Sequence, residues 1–128
     1  GNWRCIQYWD CSDGAPSTPT VEGTFQVGSK GYYFDSGSAR CYWYTQFRGN
    51  YLFHSVLYNK NGTLMDGRLG MPLSHGCVRL NINNAKWIYD NVSSGTTVRI
   101  GDNLDYPLTN PTRYTWTGGA FGSDPTYR

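Results

Sequence analysis

Alternation of apolar and polar positions indicates that this chain is mostly β-structure. Short runs with apolar residues at every second position are separated by stretches rich in Gly, Pro, Ser, Thr and Asn. The pattern predicts strands at residues 3–9, 24–28, 41–47, 51–58 and 96–100, with a weaker edge strand at 113–117. The segments between them are predicted to be loops: 11–23, 29–40 and 59–74.

One segment departs from the two-residue period and predicts a helix at residues 83–92. Its apolar side chains follow helical spacing: Ala85, Ile88, Tyr89 and Val92. Asn81 or Asn83 can cap its start, and Ser94–Gly95 can end it. The sum is a mostly β domain of about six strands with one helix.

Composition limits the class of protein further. The 128 residues favour one domain, and no apolar run approaches the length of a membrane span. The charged fraction is 16% and the net charge +2, with Lys and Arg scattered singly, so we expect no nucleic-acid binding. The first residues lack the pattern of a signal peptide, and we expect none in this chain. A Lys-poor composition rich in Gly, Ser, Thr and Asn indicates an exported bacterial protein.

The reactive side chains concentrate in "PLSHGCVRL", residues 72–80. His75 stands two residues before Cys77, and the second histidine of the chain, His54, lies in a predicted strand. Cysteine attacks as its thiolate, and a histidine within reach can take the thiol proton. In an extended segment His75 and Cys77 point to the same side, about 7 Å apart at Cα. The N–H groups of Gly76 and Cys77 are candidate oxyanion donors.

The residues alone leave other interpretations open. Cys77 could be an inert buried thiol, and His75 a structural histidine. His54, His75 and Cys77 could also form a three-ligand metal site of the catalytic zinc type. If His54 is a base, its orienting group could be a backbone carbonyl, Ser55 or Asp66.

The remaining cysteines raise the question of a disulfide. The chain has four cysteines and no CxxC motif, which argues against a structural zinc site of the usual spacing. If Cys77 stays free, at most one disulfide can form among Cys5, Cys11 and Cys41. Cys5 and Cys11 are about 20 Å apart in an extended segment, too far to bridge. Cys41 is therefore the predicted partner of one of them.

The segment "SHGCVRL" also resembles the signature of the L,D-transpeptidase catalytic domain, the YkuD family. That signature is an upstream His, a spacer, Ser/Thr-His-Gly-Cys, a hydrophobic residue, and Asn or Arg. The matching positions are His54, Ser74, His75, Gly76, Cys77, Val78 and Arg79. Further likeness at 17–25, 49–58 and 84–100 extends the resemblance to roughly residues 3–100. It implies a YkuD-like mixed β-sheet sandwich or barrel, with one helix after the cysteine.

Two departures from the family pattern bear on the domain boundaries. The spacer, residues 55–73, has 19 residues, longer than the mid-teens usual in the family, and is expected to reshape the lid over the substrate. The family's opening one or two strands are not recognisable. We therefore expect residues 1–128 to be a single L,D-transpeptidase catalytic domain without those strands, in which 101–128 form a C-terminal extension.

The resemblance implies a role for each matched residue. Cys77 would be the nucleophile and His54 its general base, with the backbone carbonyl of Ser55 holding the imidazole. His75 would line the pocket and help to shape an oxyanion hole with the N–H groups of Gly76 and Cys77.

Two further matched residues would bind substrate. Ser74 would stabilise the pocket by hydrogen bonds. Arg79 would hold a substrate carboxylate or a nearby loop. The resemblance implies neither a metal nor another cofactor.

The implied activity is peptidoglycan L,D-transpeptidation, which forms 3→3 cross-links between stem peptides and serves wall synthesis and cell shape. The enzyme would act outside the cell membrane of a Gram-positive bacterium, with carbapenem-type β-lactams as covalent inhibitors. Water as acceptor would instead make the domain an L,D-carboxypeptidase. A different class of protein, a wall-binding module with a decayed site, is the remaining alternative.

Overall fold

The computed structural model describes residues 7, 9–71 and 74–101. In chain order the elements are β1 (Gly23–Gln26), β2 (Lys30–Ser36), β3 (Ala39–Arg48), β4 (Tyr51–Ser55), β5 (Leu57–Asn59), β6 (Leu64–Asp66), β7 (Val78–Leu80), α1 (Ile82–Asn91) and β8 (Thr97–Ile100). The larger sheet has the order β6-β5-β3-β4-β7, with β2 also paired to β3, and β1 pairs with β8. The β4–β7 pair is parallel. A mostly β fold with a helix after Cys77 is thus confirmed.

The segment 29–40, predicted to be a loop, is mostly a hairpin. Strand β2 pairs antiparallel with β3 and turns at Gly37, whose φ of 60° suits glycine. Tyr32 and Tyr33 are both exposed, so β2 buries neither face completely. Because period-two alternation reflects one buried face, this edge strand gives no such signal.

The segment 51–58, predicted to be one strand, is divided at Val56. Its first part is β4, and its second part, β5, pairs with β3 and β6 instead. The long loop 59–74 consequently contains β6, as the second strand of a hairpin. Strand β7 was also not predicted, because three consecutive buried residues are too few to show a period.

A bend in β3 lets this strand contact two different partners. Trp43 has φ of 55°, which an L-residue rarely adopts. Before it Ala39 pairs with Asn59, and after it Thr45 pairs with Phe53. At the bend the Tyr42 N–H donates to Ser55 Oγ at 2.9 Å. The sheet therefore curls at Ser55, the residue that follows His54.

The helix covers one side of the curled sheet. It begins one residue earlier than predicted, and Asn81 caps it by accepting the Asn83 N–H at 3.0 Å. Ile82 and Ala85 are buried against the strands. Two core clusters lie on this side, one around Tyr42, Val56, Tyr58 and Ile82, the other around Phe47, Val78, Leu80 and Ala85. The opposite side of β4 and β7 is left for polar side chains.

The prediction that Cys41 forms a disulfide is wrong. Cys41 is a free thiol that is 2% exposed, and burial raises its pKa to about 12. It lies in β3 on the same side as Phe34, its partner in β2. Cys5 lies outside the described residues.

Several predicted elements also lie outside the described residues, namely most of the strand 3–9, the strand 113–117, and the C-terminal extension after Gly101. In the part of the chain that the structure describes, no helix has the length and hydropathy needed to cross a membrane.

Candidate active site

The parallel pairing of β4 with β7 assembles the predicted site. His54 is in register with Arg79. Alternation turns the flanking residues Phe53 and Val78 to the helix side, where both belong to the core. Cys77 stands two residues before Arg79 and faces the same cleft. Two segments that are distant in sequence thereby present a base, a cation and a thiol on one face.

The cleft has a volume of about 540 Å³, within the usual range of small-ligand sites. It brings together five residues identified from sequence: His54, Ser74, His75, Cys77 and Arg79. Sequence reasoning missed the rest of the lining: Phe34, Ser36, Ala39, Cys41, Gly49, Asn50, Leu52 and Leu57. Leu57 comes from the long spacer, so this segment builds one wall of the cleft.

His54 is held as a neutral base. Its Nδ1 lies 2.6 Å from the Ser55 carbonyl oxygen, the contact expected from the resemblance. A carbonyl only accepts, so Nδ1 carries the proton and Nε2 keeps its lone pair. The Phe34 ring stands edge-on at 5.3 Å and helps to exclude water. Burial of the imidazole, which is 3% exposed, lowers the pKa of His54 to about 4, and the Arg79 charge adds to this.

Cys77 begins as a protonated thiol. Burial raises its pKa, while a hydrogen bond from the Leu52 N–H and the positive charge of Arg79 act in the opposite direction. The thiol donates to the Asn50 carbonyl at 3.3 Å. The nucleophile therefore needs a base, and the thiol proton must leave the Asn50 carbonyl before His54 can take it.

We expect acylation of Cys77 to persist to unusually low pH. The base works only while His54 is neutral, so the rate should stay level from about pH 8 to 5 and halve near pH 4. Between pH 6.5 and 4 the unfolded chain binds a proton that folded His54 does not. The free energy of unfolding therefore decreases as the pH is lowered through this range. Mass spectrometry of the adduct at each pH, with circular dichroism to verify folding, would measure this. A midpoint near 6.5, the ordinary histidine value, would show that His54 is not the desolvated base.

The loop before Cys77 depends on glycine and on Ser74. Gly76 has φ of 127°, and a Cβ there would lie 2.8 Å from the Tyr51 ring. Ser74 Oγ accepts the Gly76 N–H at 3.1 Å and donates to the Cys77 carbonyl. The Gly76 N–H, predicted as an oxyanion donor, is thus already engaged. The N–H groups of His75 and Cys77 remain as candidates.

Asp66 does not orient His54, although the sequence left this possibility open. Its carboxylate accepts two hydrogen bonds from the Arg68 guanidinium, at 3.0 and 2.8 Å, which lower its pKa. Arg79 lies beyond, with one nitrogen 3.7 Å from Asp66. Arg79 is 8% exposed, and its Nε has no hydrogen-bond partner among the described residues. Asp66 thus pairs with the buried guanidinium of Arg79, whose Nε–H remains available as a hydrogen-bond donor.

The sequence also left open a three-ligand metal site formed by His54, His75 and Cys77. Within the described ranges, no group of three or more His, Cys, Asp or Glu side chains is placed to hold a metal ion.

Comparisons with known proteins identify relatives of this chain. "Putative L,D-transpeptidase YciB" of Bacillus subtilis is 37% identical over 89 residues, which are 63% of this chain and 46% of that protein. A solved protein of Clostridium acetobutylicum, described as a fused Zn-dependent amidase/peptidase and peptidoglycan-binding protein, is 50% identical with a TM-score of 0.59, over 71% of this chain and 38% of that one. The L,D-transpeptidase LdtMt1, solved in complex with imipenem, is 26% identical with a TM-score of 0.56, over 70% and 46%.

The chain spans less than half the length of each of these relatives. The family model of the L,D-transpeptidase catalytic domain, YkuD, matches residues 2–100. That match covers most of the chain, including every residue of the cleft described above. The chain therefore belongs to the YkuD family of L,D-transpeptidase catalytic domains.

Proposed function

We propose that this domain is a peptidoglycan L,D-transpeptidase that forms 3→3 cross-links through a thioester on Cys77. The observation that carries the proposal is the neutral, buried His54, fixed by the Ser55 carbonyl, in the same cleft as Cys77. Such a pair supplies a nucleophile and a proton acceptor without a metal ligand set.

In the first step Cys77 acts on a tetrapeptide stem. Its sulfur attacks the carbonyl carbon of the third residue while His54 Nε2 takes the thiol proton. The tetrahedral intermediate collapses when the bond to the terminal D-alanine breaks, and the His54 proton moves to the departing amine. The product is a thioester between Cys77 and the third residue.

In the second step the side-chain amine of another stem attacks the thioester. Neutral His54 takes the amine proton and returns it to the sulfur as the new amide forms. This gives the 3→3 cross-link. Attack by water would instead release a tripeptide, so the acceptor alone distinguishes a transpeptidase from an L,D-carboxypeptidase.

Arg79 completes the proposed substrate contacts, and Ser74 shapes the pocket. Arg79 stands in register with His54, so a leaving D-alanine whose amine faces His54 can direct its carboxylate to the guanidinium. The buried Nε, for which the described residues provide no hydrogen-bond partner, supports this assignment. Ser74 has a different task, because both of its hydroxyl hydrogen bonds go to Gly76 and Cys77 within the loop. Its contribution is to the shape of the pocket.

The cellular setting is part of the proposal and rests on the proposed substrate. Peptidoglycan lies outside the cytoplasmic membrane, so we place the domain there, in an exported protein of a Gram-positive bacterium that acts in wall synthesis and cell shape. The imipenem complex of a relative supports carbapenems as covalent inhibitors of Cys77.

Incubation with purified tetrapeptide muropeptides, followed by mass analysis of the products, tests the proposal. Transpeptidation yields a dimer that lacks one alanine, whereas hydrolysis yields a tripeptide monomer. Unchanged substrate in the presence of folded protein would contradict an enzymatic role and favour a wall-binding module. A second arm with an amidated terminal carboxylate tests Arg79, and equal turnover of both stems would show that Arg79 does not bind this group.

A further inference from the structure

A segment behind the catalytic loop fixes the orientation of its peptide groups. Residues 12–20, here called the backing segment, pair with the loop 74–77 through the β-bridge Gly14↔Ser74 and with β7 through the β-bridge Ser12↔Arg79. These nine positions are all described, and none of them lines the cleft. The backing segment therefore contacts the loop 74–77 from outside the cleft.

Two threonine hydroxyls of the backing segment hold carbonyl groups of the loop. Thr20 Oγ1 donates to the Gly76 carbonyl at 2.6 Å, and the Gly14 N–H donates to the same Thr20 oxygen at 2.9 Å. Thr18 Oγ1 donates to the Ser74 carbonyl at 2.9 Å. That carbonyl also accepts the Ala15 N–H at 2.8 Å. The Ser74 carbonyl thus has two donors, whereas Thr20 is the donor found for Gly76.

Gly14 allows this arrangement. A Cβ at Gly14 would lie 2.2 Å from the Thr18 carbonyl oxygen and 2.4 Å from the Thr20 nitrogen. Only a residue without a side chain lets the chain fold over itself here. The position of the Thr20 hydroxyl is therefore set by tightly packed backbone.

The direction of a carbonyl determines the direction of the next N–H group. The described peptide bonds are trans, and in a trans peptide the C=O and N–H point to opposite sides. When Thr20 holds the Gly76 carbonyl towards the backing segment, the Cys77 N–H must point the other way, to the side of the cleft. The same reasoning directs the His75 N–H, whereas the Gly76 N–H is engaged by Ser74.

This peptide group needs an external restraint. Gly76 has φ of 127°, and glycine crosses between backbone conformations with little steric resistance. Gly76 has no Cβ to limit its backbone rotation, so the hydrogen bond from Thr20 fixes the orientation of this peptide group instead.

We propose that Thr20 is a positioning residue, which aims the Cys77 N–H at the oxyanion formed when the Cys77 thiol attacks a carbonyl carbon. The proposal rests on the acyl-transfer function proposed above. Donors fixed in advance towards the developing negative charge contribute more than donors that must first rotate, and loss of one donor costs about 10²–10³ in rate. Thr20 touches no reacting atom and acts through the Gly76–Cys77 peptide.

Two reactions of the same thiol separate this role from a structural one. Acylation by a carbapenem passes through an oxyanion, whereas alkylation by iodoacetamide is a substitution at a saturated carbon and forms none. We expect Thr20→Ala and Thr20→Val to slow carbapenem acylation about 10- to 100-fold. Alkylation should change less than about twofold, since the environment of the thiol is kept. Thr20→Ser should restore acylation because it restores the hydroxyl.

Two matched variants provide the controls. Thr18→Val should have a smaller effect on acylation than Thr20→Val, because the Ser74 carbonyl keeps the Ala15 N–H. Thr24→Val makes the same change at an exposed position in β1 and should leave both rates unchanged. Thermal melts identify any variant that fails to fold. If Thr20→Val fails because its added methyl group does not fit, Thr20→Ala is compared with the wild type instead.

The outcomes are distinct. Acylation at the wild-type rate in Thr20→Ala would overturn the proposal, and so would equal losses in acylation and alkylation. If wild-type protein is alkylated but is acylated by neither carbapenem nor stem peptide, the proposed function fails instead.

Discussion

Replacing Cys77 with alanine is expected to abolish the covalent carbapenem adduct, whereas replacing Cys41 with alanine is expected to leave it in place. Both thiols line the same cleft, so position alone does not distinguish them. Cys41 is 2% exposed, and its pKa is raised to about 12 by burial. Cys77 is less buried, receives the Leu52 N–H, and lies in the same cleft as His54, its proposed proton acceptor. Of these two thiols, only Cys77 should therefore react.

Intact-mass spectrometry of the wild type and both variants would measure this difference, and peptide mapping would locate the adduct. Cys41→Ala serves as the matched control, because it removes a pocket thiol without removing the nucleophile. An adduct of wild-type amount on Cys77→Ala would contradict the proposed mechanism.

The motif identified the chemistry of the site but not its architecture. His54 was assigned as the base of Cys77 because His54, with Ser74, His75, Gly76 and Cys77, matches a known signature. The contact between His54 and the Ser55 carbonyl was expected for the same reason and is present. The local sequence pattern alone favoured His75 as the partner of Cys77, because such a pattern shows only which residues are close along the chain. The parallel pairing of β4 with β7 brings His54 to the same face instead.

The features that the sequence analysis missed or predicted wrongly share a physical cause, because they depend on residues positioned by tertiary contacts. Phe34 desolvates His54 from β2, a strand with little buried surface and therefore no alternation to detect. Cys41 was assigned to a disulfide by elimination among cysteines, but a buried thiol behaves as a small apolar side chain and needs no partner. Thr20 was seen only as part of a likeness at 17–25. Its role depends on one hydrogen bond to Gly76, 56 positions away.

The long spacer between His54 and Ser74 contributes to the site in a way that its length did not predict. Its length predicted a changed lid, but much of it is the hairpin of β5 and β6. This hairpin adds Leu57 to the cleft and places Asp66 beside Arg79. The extra residues therefore act at the site through packing and charge. Turn signals such as Asn-Gly or Asp-Gly do not predict these contacts with the cleft and with Arg79.

Replacing His54 with glutamine is expected to slow acylation of Cys77 by about 10²–10⁴-fold, the usual contribution of a general base. Glutamine can still donate to the Ser55 carbonyl and fill much of the site, but it cannot accept a proton from the thiol. His75→Gln is the matched control. His75 is exposed at the mouth of the cleft, and acylation should fall less than about tenfold.

The pH dependence of the remaining activity separates loss of the base from a general disturbance of the site. Without His54 the reaction must use the free thiolate, and the pKa of Cys77 is raised by burial. The residual rate of His54→Gln should therefore rise steadily with pH through the alkaline range, whereas the wild-type rate is level there until the thiol itself ionises. Carbapenem acylation followed by mass spectrometry from pH 6 to 10 would record both profiles. A large loss in His75→Gln together with a small loss in His54→Gln would reverse the two assignments and make His75 the base.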